Sequence, residues 1–251
     1  MKKALLIVGL ISLFSYYVRS QNLVLNPSFE IYTFCPEDMT MTSVRQLIPD
    51  WYLPTKGTSD YFNECAIFQV GVPQNFIGNL YAFDGKAYAG IVLLEKPPLN
   101  GSIKKKLVNY REYIQTKLKE PLKPNKKYYI SLNYAIANYS TYATNSLGIC
   151  LTKSQIKNRA SFKILNCNPV VMVPKDSIYT ERNYWYTLSD TIIANGDEEY
   201  LTIGNFYDDL NTSFELLDIS DLSSTIKKRI WENRIAYYYI DFVSVVFVEE
   251  K

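Results

Sequence analysis

The sequence predicts an all-β fold: an antiparallel jelly-roll β-sandwich with long loops and one short inserted helix near the C-terminus. Three observations lead there. The 251 residues include 22 Tyr and 12 Phe, and Tyr suits strands because one ring face packs while the hydroxyl reaches water or a partner. Apolar and polar residues alternate in several short runs. Turn residues separate those runs at a spacing that favours a sandwich or jelly roll over βαβ units.

The clearest run is KKYYISLNYAIA (126–137), where Tyr128, Ile130, Leu132 and Tyr134 alternate with Tyr129, Ser131, Asn133 and Ala135. Pro121, Pro124 and Asn125 mark a turn before it. YREYIQTKLK (110–119) reads as a second strand and is expected to pair antiparallel with the first. Further strands are expected at 23–30, 66–70, 87–94, 146–152, 184–193, 199–206 and 236–248. Between 218 and 233 the period changes: Leu222, Ile226 and Ile230 recur at helical spacing after the possible caps Ser220 and Asp221. Pro97, Pro98, Asn100 and Gly101, followed by Lys104–Lys106, mark an exposed loop. Neither a repeat nor a Pro/Gly/Ser-rich linker divides the chain, so 21–251 reads as a single domain.

Residues 1–20 read as a secretory signal peptide, with Lys2 and Lys3 before the apolar run Ala4–Val18 and small residues before Gln21. The run is too short to span a bilayer, so no transmembrane segment is expected after cleavage. Export to the periplasm, the outer-membrane surface or the medium follows. The leader carries three of the 27 basic residues and none of the 25 acids, leaving the mature chain at −1. That gives no field for nucleic acid. Cys35, Cys65, Cys150 and Cys167 are even in number, as exported disulfides require. Sequence-local pairing, Cys35–Cys65 and Cys150–Cys167, is expected because each pair brackets one loop excursion. A zinc site is disfavoured by the spacings and by the absence of His.

The lack of His also removes Ser-His-Asp, Cys-His and His acid–base chemistry. Paired carboxylates are the remaining enzymatic route, with Asp60, Glu64, Glu95 and Glu112 available as a carboxylate-based glycosidase alternative. A non-enzymatic binding module is the preferred reading. Trp51, Tyr52, Asp60, Tyr61 and Asn63 cluster in a turn-rich segment, where exposed aromatic faces and planar amides would suit a sugar. Arg111 and Glu112 begin a strand and could face the same cleft. Trp51 as a core residue, and Glu112 as a buried acid paired with an arginine, are the structural alternatives; Trp185 reads as packing.

The order NLVLNPSFE (22–30), Trp51, DGKAYAGI (84–91), EYLTIGNF (199–206) and YYIDFVSV (238–245) resembles jelly-roll modules of the galactose-binding-like and carbohydrate-binding type. WYLPTKGT (51–58), DYFNEC (60–65), GVPQN (71–75) and NYREYIQ (109–115) further resemble a group of exported proteins of Bacteroidetes-type bacteria, some fused to OmpA-like domains. The resemblance implies a structural calcium ion between Glu30 and Asp241, with a backbone carbonyl added near Lys86, since calcium takes several oxygen ligands. It implies a glycan or cell-envelope polymer as ligand. The competing partner is an outer-membrane protein complex, such as a secretion or gliding apparatus.

Overall fold

The computed structural model describes residues 21–39, 47–67, 69–96, 109–158, 161–232 and 234–249. The expected leader and the lysine-bearing loop 97–108 lie outside them. Numbered along the chain, the first strands are β1 (Trp51–Tyr52), β2 (Asp60–Asn63), β3 (Gln74–Asn75), β4 (Gly78–Asn79) and β5 (Ala87–Glu95). Next come β6 (Tyr113–Lys117), β7 (Lys127–Ile136), β8 (Tyr142–Thr144), β9 (Gly148–Thr152) and β10 (Val171–Met172). The last are β11 (Tyr186–Ile193), β12 (Tyr200–Gly204), β13 (Phe214–Leu216), helix α1 (Ser224–Glu232) and β14 (Ile235–Phe247).

Two five-stranded antiparallel sheets face each other, in the orders β1-β6-β12-β9-β10 and β11-β7-β14-β5-β2. This is the jelly-roll sandwich. Period two in β7 does what alternation dictates: Tyr128, Ile130, Leu132, Tyr134 and Ile136 enter the core between the sheets, while Tyr129 stays exposed. β5 is buried on both faces. Ala87, Ala89, Ile91 and Leu93 point into the main core, and Tyr88 and Val92 point outward into a second apolar cluster with Phe62, Tyr237 and Tyr239. That second cluster exists because the arm at 69–82, carrying the β3–β4 hairpin, folds over the outer face of the sheet.

Segment 110–119 does not pair with 126–137. β6 and β7 belong to opposite sheets, and the chain crosses between them. Pro121 and Pro124 lack the N–H groups a hairpin ladder would need; Leu122 and Asn125 donate to Glu198 and Ala194 instead. The expected strand at 23–30 is also shorter than its pattern suggests. Residues 22–27 do run beside β14, with Leu23 N–H donating to Val245 (2.8 Å) and Val243 N–H to Pro27 (2.9 Å). Asn26 and Phe29 then take positive φ (47° and 61°) and turn the chain out. Residues 66–67 and 69–70 form no strand but part of the covering arm. The helix is there, shorter than expected, and buries Ile230 just before β14. No helix among the described residues is long and apolar enough to cross a membrane.

Candidate functional site

Concavity, rather than sequence proximity, defines the candidate site. The outer face of β2, β5 and β14, the 69–82 arm, Tyr110, Tyr139 and α1 enclose a cleft of about 390 Å³. Its walls are Met39, Phe76, Ile77, Tyr110, Tyr139, Ile230 and Ile235. Asp60, Glu112, Glu95, Thr58 and the Tyr237 hydroxyl supply its polar groups.

Strand register builds the floor. Asp60 lies opposite Gly90 across the β2–β5 pair, and Gly90 has no side chain to occupy the space above it. A Cβ there would collide with Tyr237 and Phe62. The Tyr237 ring lies over that gap and its hydroxyl donates to Asp60 Oδ2. Burial, then the charges of Asp60 and Glu112, push the Tyr237 hydroxyl far above its ordinary pKa, so it remains a donor.

Glu112 is the second buried acid. Its Oε1 accepts from Tyr110 Oη (2.6 Å), Thr58 Oγ1 (3.0 Å) and Thr58 N–H (3.2 Å), and its Oε2 accepts from Val92 N–H (2.8 Å). Burial pushes its carboxyl upward against those four donors. Glu112 is buried as an acid but not paired with an arginine. Arg111 turns the other way, wholly buried, with an ion pair to Asp209 (3.0 Å) and hydrogen bonds to the Tyr207 and Tyr110 carbonyls and Thr212 Oγ1. It anchors the 207–212 loop and does not enter the cleft.

The sequence-local aromatic cluster does not form a ligand surface. Trp51 is buried, stacked on Phe29 at 4.7 Å with its indole N–H on the Asn26 carbonyl. Tyr61 is buried and donates to the Phe29 carbonyl. Asn63 is buried between Tyr61 Oη and the Cys65 N–H. These three hold the N-terminal turn against β2. Tyr52 is exposed, but on the edge strand of the opposite sheet. Of the expected set, only Asp60 and Glu112 reach the cleft. Phe76, Tyr110, Tyr139, Tyr237 and Glu95 complete it; Glu95 had entered only as a possible catalytic acid. The run YYYI (237–240) held the missed signal, because alternation sends Tyr237 and Tyr239 to the face opposite the core residue Tyr238.

Both expected disulfides form, Cys35–Cys65 and Cys150–Cys167. Glu30 and Asp241 meet the same loop, 83–87. Glu30 Oε1 accepts from Lys86 and Ala87 N–H (2.7 and 2.9 Å). Asp241 Oδ2 accepts from Phe83 and Asp84 N–H (2.9 and 3.0 Å), and its Oδ1 from Phe242 N–H. Gly85, at φ +69°, packs directly on the Glu30 carboxylate, where no Cβ would fit. The Lys86 carbonyl accepts from Glu64 N–H and its ammonium pairs with Glu64. Glu30, Asp84 and Asp241 stand around one loop and are of the oxygen-donor type calcium takes, and no ion pair to Asp241 occurs among the described residues. Among the described residues no three acidic or cysteine side chains come close enough together to hold a metal ion, so backbone carbonyls would have to complete the set.

No family model matches the sequence, and no curated protein does. Solved structures do resemble the fold. The CBM22-1 xylan-binding domain of Paenibacillus barcinonensis Xyn10C matches over 93% of this chain and 98% of its own, at 12% identity and TM-score 0.40. The K2 cleaved adhesin domain of Lys-gingipain matches over 89% and 97%, at 10% identity and TM-score 0.39. The enzymatically active domain of bacteriophage CBA120 tailspike protein 4 matches over 90% of this chain at 11% identity and TM-score 0.40, but the chain spans only 21% of its length. At these scores the likeness bears on neither ligand nor activity.

Proposed function

We propose that this chain is an exported, non-catalytic module that binds a glycan or another cell-envelope polymer in the cleft over β2, β5 and β14. One observation carries the reading: aromatic walls from Phe76, Tyr110 and Tyr139 stand over hydroxyl and carboxyl groups from Thr58, Asp60, Glu95 and Tyr237. Sugars present C–H faces that pack on rings and hydroxyls that need directed polar partners, and this lining offers both. Glu112 supports binding over hydrolysis. A general acid or base must be available to the substrate's proton, whereas four donors hold this carboxylate to its own backbone and neighbours. The two disulfides support an oxidising compartment. A calcium ion at the 83–87 loop belongs to the same proposal, as a brace between the chain's two ends held by Glu30 and Asp241.

The test is calorimetry and a glycan array with the mature protein and a folded Tyr139→Ala variant. A polysaccharide hit that weakens at least about tenfold in the variant supports the reading, that being the scale of a lost stacking contact. Release of reducing ends from any bound polysaccharide would instead establish the glycosidase.

A protein partner in an outer-membrane assembly is the second reading. Its support is a solvent-facing aromatic group of Tyr81, Phe83 and Phe242 beside Trp185, with Phe83 at 6.2 Å from Trp185 and 6.0 Å from Phe242. Tyr and Trp are enriched at such interfaces. Co-purification with envelope membranes, abolished by Phe83→Ser with glycan binding intact, would favour it.

A further inference from the structure

Beyond the cleft, we infer a second contact surface for the glycan: a flat strip over β11, β7 and β14 that takes an uncharged stretch of that polymer. It rests on the glycan reading above. Strand register sets the strip out in rows. Thr187, Asn133 and Asp241 lie side by side, then Ser189, Ser131 and Ser244, then Thr191, Tyr129 and Val246. Alternation turns them outward, because Leu188, Leu132, Ile130, Val243 and Val245 take the core side. Rings close both ends. Tyr129 stands exposed at one, four residues and about 13 Å along β7 from Asn133. At the other, Phe83, whose N–H donates to Asp241, lies 6.0 Å from Phe242 and 6.2 Å from Trp185. Phe242 is there at a cost. It occupies the bulge between Asp241 and Ser244, at φ +47°, a left-handed conformation that suits glycine and strains a bulky residue. Neither Phe242 nor Phe83 belongs to an apolar core cluster, and they are 40% and 47% exposed. The core gains nothing from rings at these positions. A strained backbone that holds an exposed ring is the kind of arrangement found at ligand-contacting sites.

The residues between the rings select the occupant. Protein interfaces enrich aromatic rings but deplete Ser, and their energetic centres under-represent both Ser and Thr. Here three Ser and two Thr lie between the rings, which is the wrong composition for a protein partner. A charged polymer finds no counter-charge. No Lys or Arg stands in the three rows, and their one acid, Asp241, is buried under the N–H groups of Phe83 and Asp84. Neutral sugar units fit both features. Their C–H faces pack on Phe83, Phe242 and Tyr129, and their hydroxyls exchange hydrogen bonds with Ser and Thr hydroxyls, each of which donates and accepts. The even strand spacing of about 4.8 Å makes the floor flat and repetitive, as an extended chain of like units requires.

Native affinity electrophoresis would run the mature protein through gels holding hydroxyethylcellulose, galactomannan, alginate or chitosan. One of the two neutral polymers is expected to retard it. Phe242→Gly, which accepts the left-handed backbone, and Phe83→Ser should each weaken that binding about three- to tenfold, the scale of a lost ring contact. Melting curves would show both variants folded, and Tyr139→Ala serves as the cleft control. Neutral-polymer binding that survives both Phe242→Gly and Phe83→Ser overturns the strip, and its loss in Tyr139→Ala leaves the glycan reading standing. Retardation by alginate or chitosan alone likewise overturns the strip and spares the glycan reading. Retardation by no polymer overturns both, and capture of an envelope protein that Phe83→Ser abolishes would then return these rings to the assembly reading.

Discussion

Tyr237 reaches Asp60 across the backbone of Gly90, and the two side chains form the floor of the cleft because that glycine leaves room. Gly90→Ala would place a methyl group inside the Tyr237 ring and against Phe62. The ring must shift, and Asp60 loses its phenolic donor while buried. Overpacking of this kind costs about 1–3 kcal/mol, and the lost buried hydrogen bond adds to it. Urea unfolding of Gly90→Ala should therefore show a loss of several kcal/mol. A loss within about 0.5 kcal/mol of wild type, typical of an inert surface change, would mean the floor is not built this way.

Arg111 makes a second prediction. Its guanidinium is fully buried, and its donors serve Tyr207, Tyr110, Thr212 and Asp209. Arg111→Ala strands those acceptors and should cost about 3–5 kcal/mol, as removal of one partner from a buried pair does. Arg111→Lys keeps the charge but not the fork, so it should fall between the two. Near-equal stability of wild type and Arg111→Lys would argue that charge alone, rather than the planar hydrogen-bonding geometry, fixes the loop.

The disulfides close sequence separations of 30 and 17 residues. Chain entropy alone makes each worth about 3 kcal/mol against the unfolded state. Cys35→Ser/Cys65→Ser and Cys150→Ser/Cys167→Ser should each lower the unfolding free energy by about that much. Thiol labelling of the denatured wild type should find no free thiol, and any labelling there would contradict the pairing.

The sheets were legible where one face is polar. β7 and β11 declare themselves by alternation and were placed within a residue or two. Even the doubly buried β5 and β14 were placed within a residue, and legibility failed instead where pairing is long-range. Two prolines stood between 110–119 and 126–137, yet adjacency in sequence favoured a hairpin; the partners of β6 are Trp51–Tyr52 and Tyr200–Gly204. Tyr61 looked like a ligand residue because turn-rich surroundings suggest exposure, and Trp51 was a ligand candidate beside the core reading that its burial bears out. The NPSFE turn, with Asn26 and Phe29 at positive φ, folds back and buries both. Glu30 and Asp241, read from the sequence as calcium ligands, both lie against the 83–87 loop through its backbone N–H groups. The cleft's aromatic walls come from segments far apart in sequence, and only the arm at 69–82 brings them together.

Asp241 should make stability fall as pH rises. Its side chain is buried, and burial pushes its carboxyl up to about 8, with Asp84 adding to the effect against the pull of three backbone N–H groups. Below about pH 4 the group is protonated in both states, the unfolded value being about 3.9. Between there and pH 8 the unfolded chain sheds this proton while the metal-free folded protein keeps it, so the folded state binds more protons and loses stability with rising pH. Above 8 the slope ends. Asp241→Asn, whose carbonyl can still accept from Phe83 and Asp84, should abolish that slope, read as the pH dependence of the wild-type-minus-variant unfolding free energy. Calcium adds the opposite sign. An ion bound to the folded state through the ionised carboxylates raises the melting temperature by mass action, and more at pH 8 than at pH 5, because at the lower pH it must first displace the Asp241 proton. A flat difference curve would show that Asp241 is already ionised in the folded protein. A sloping curve with no response to calcium would leave a purely hydrogen-bonded clamp, in which the side chains of Glu30 and Asp241 hold the loop through backbone N–H groups alone.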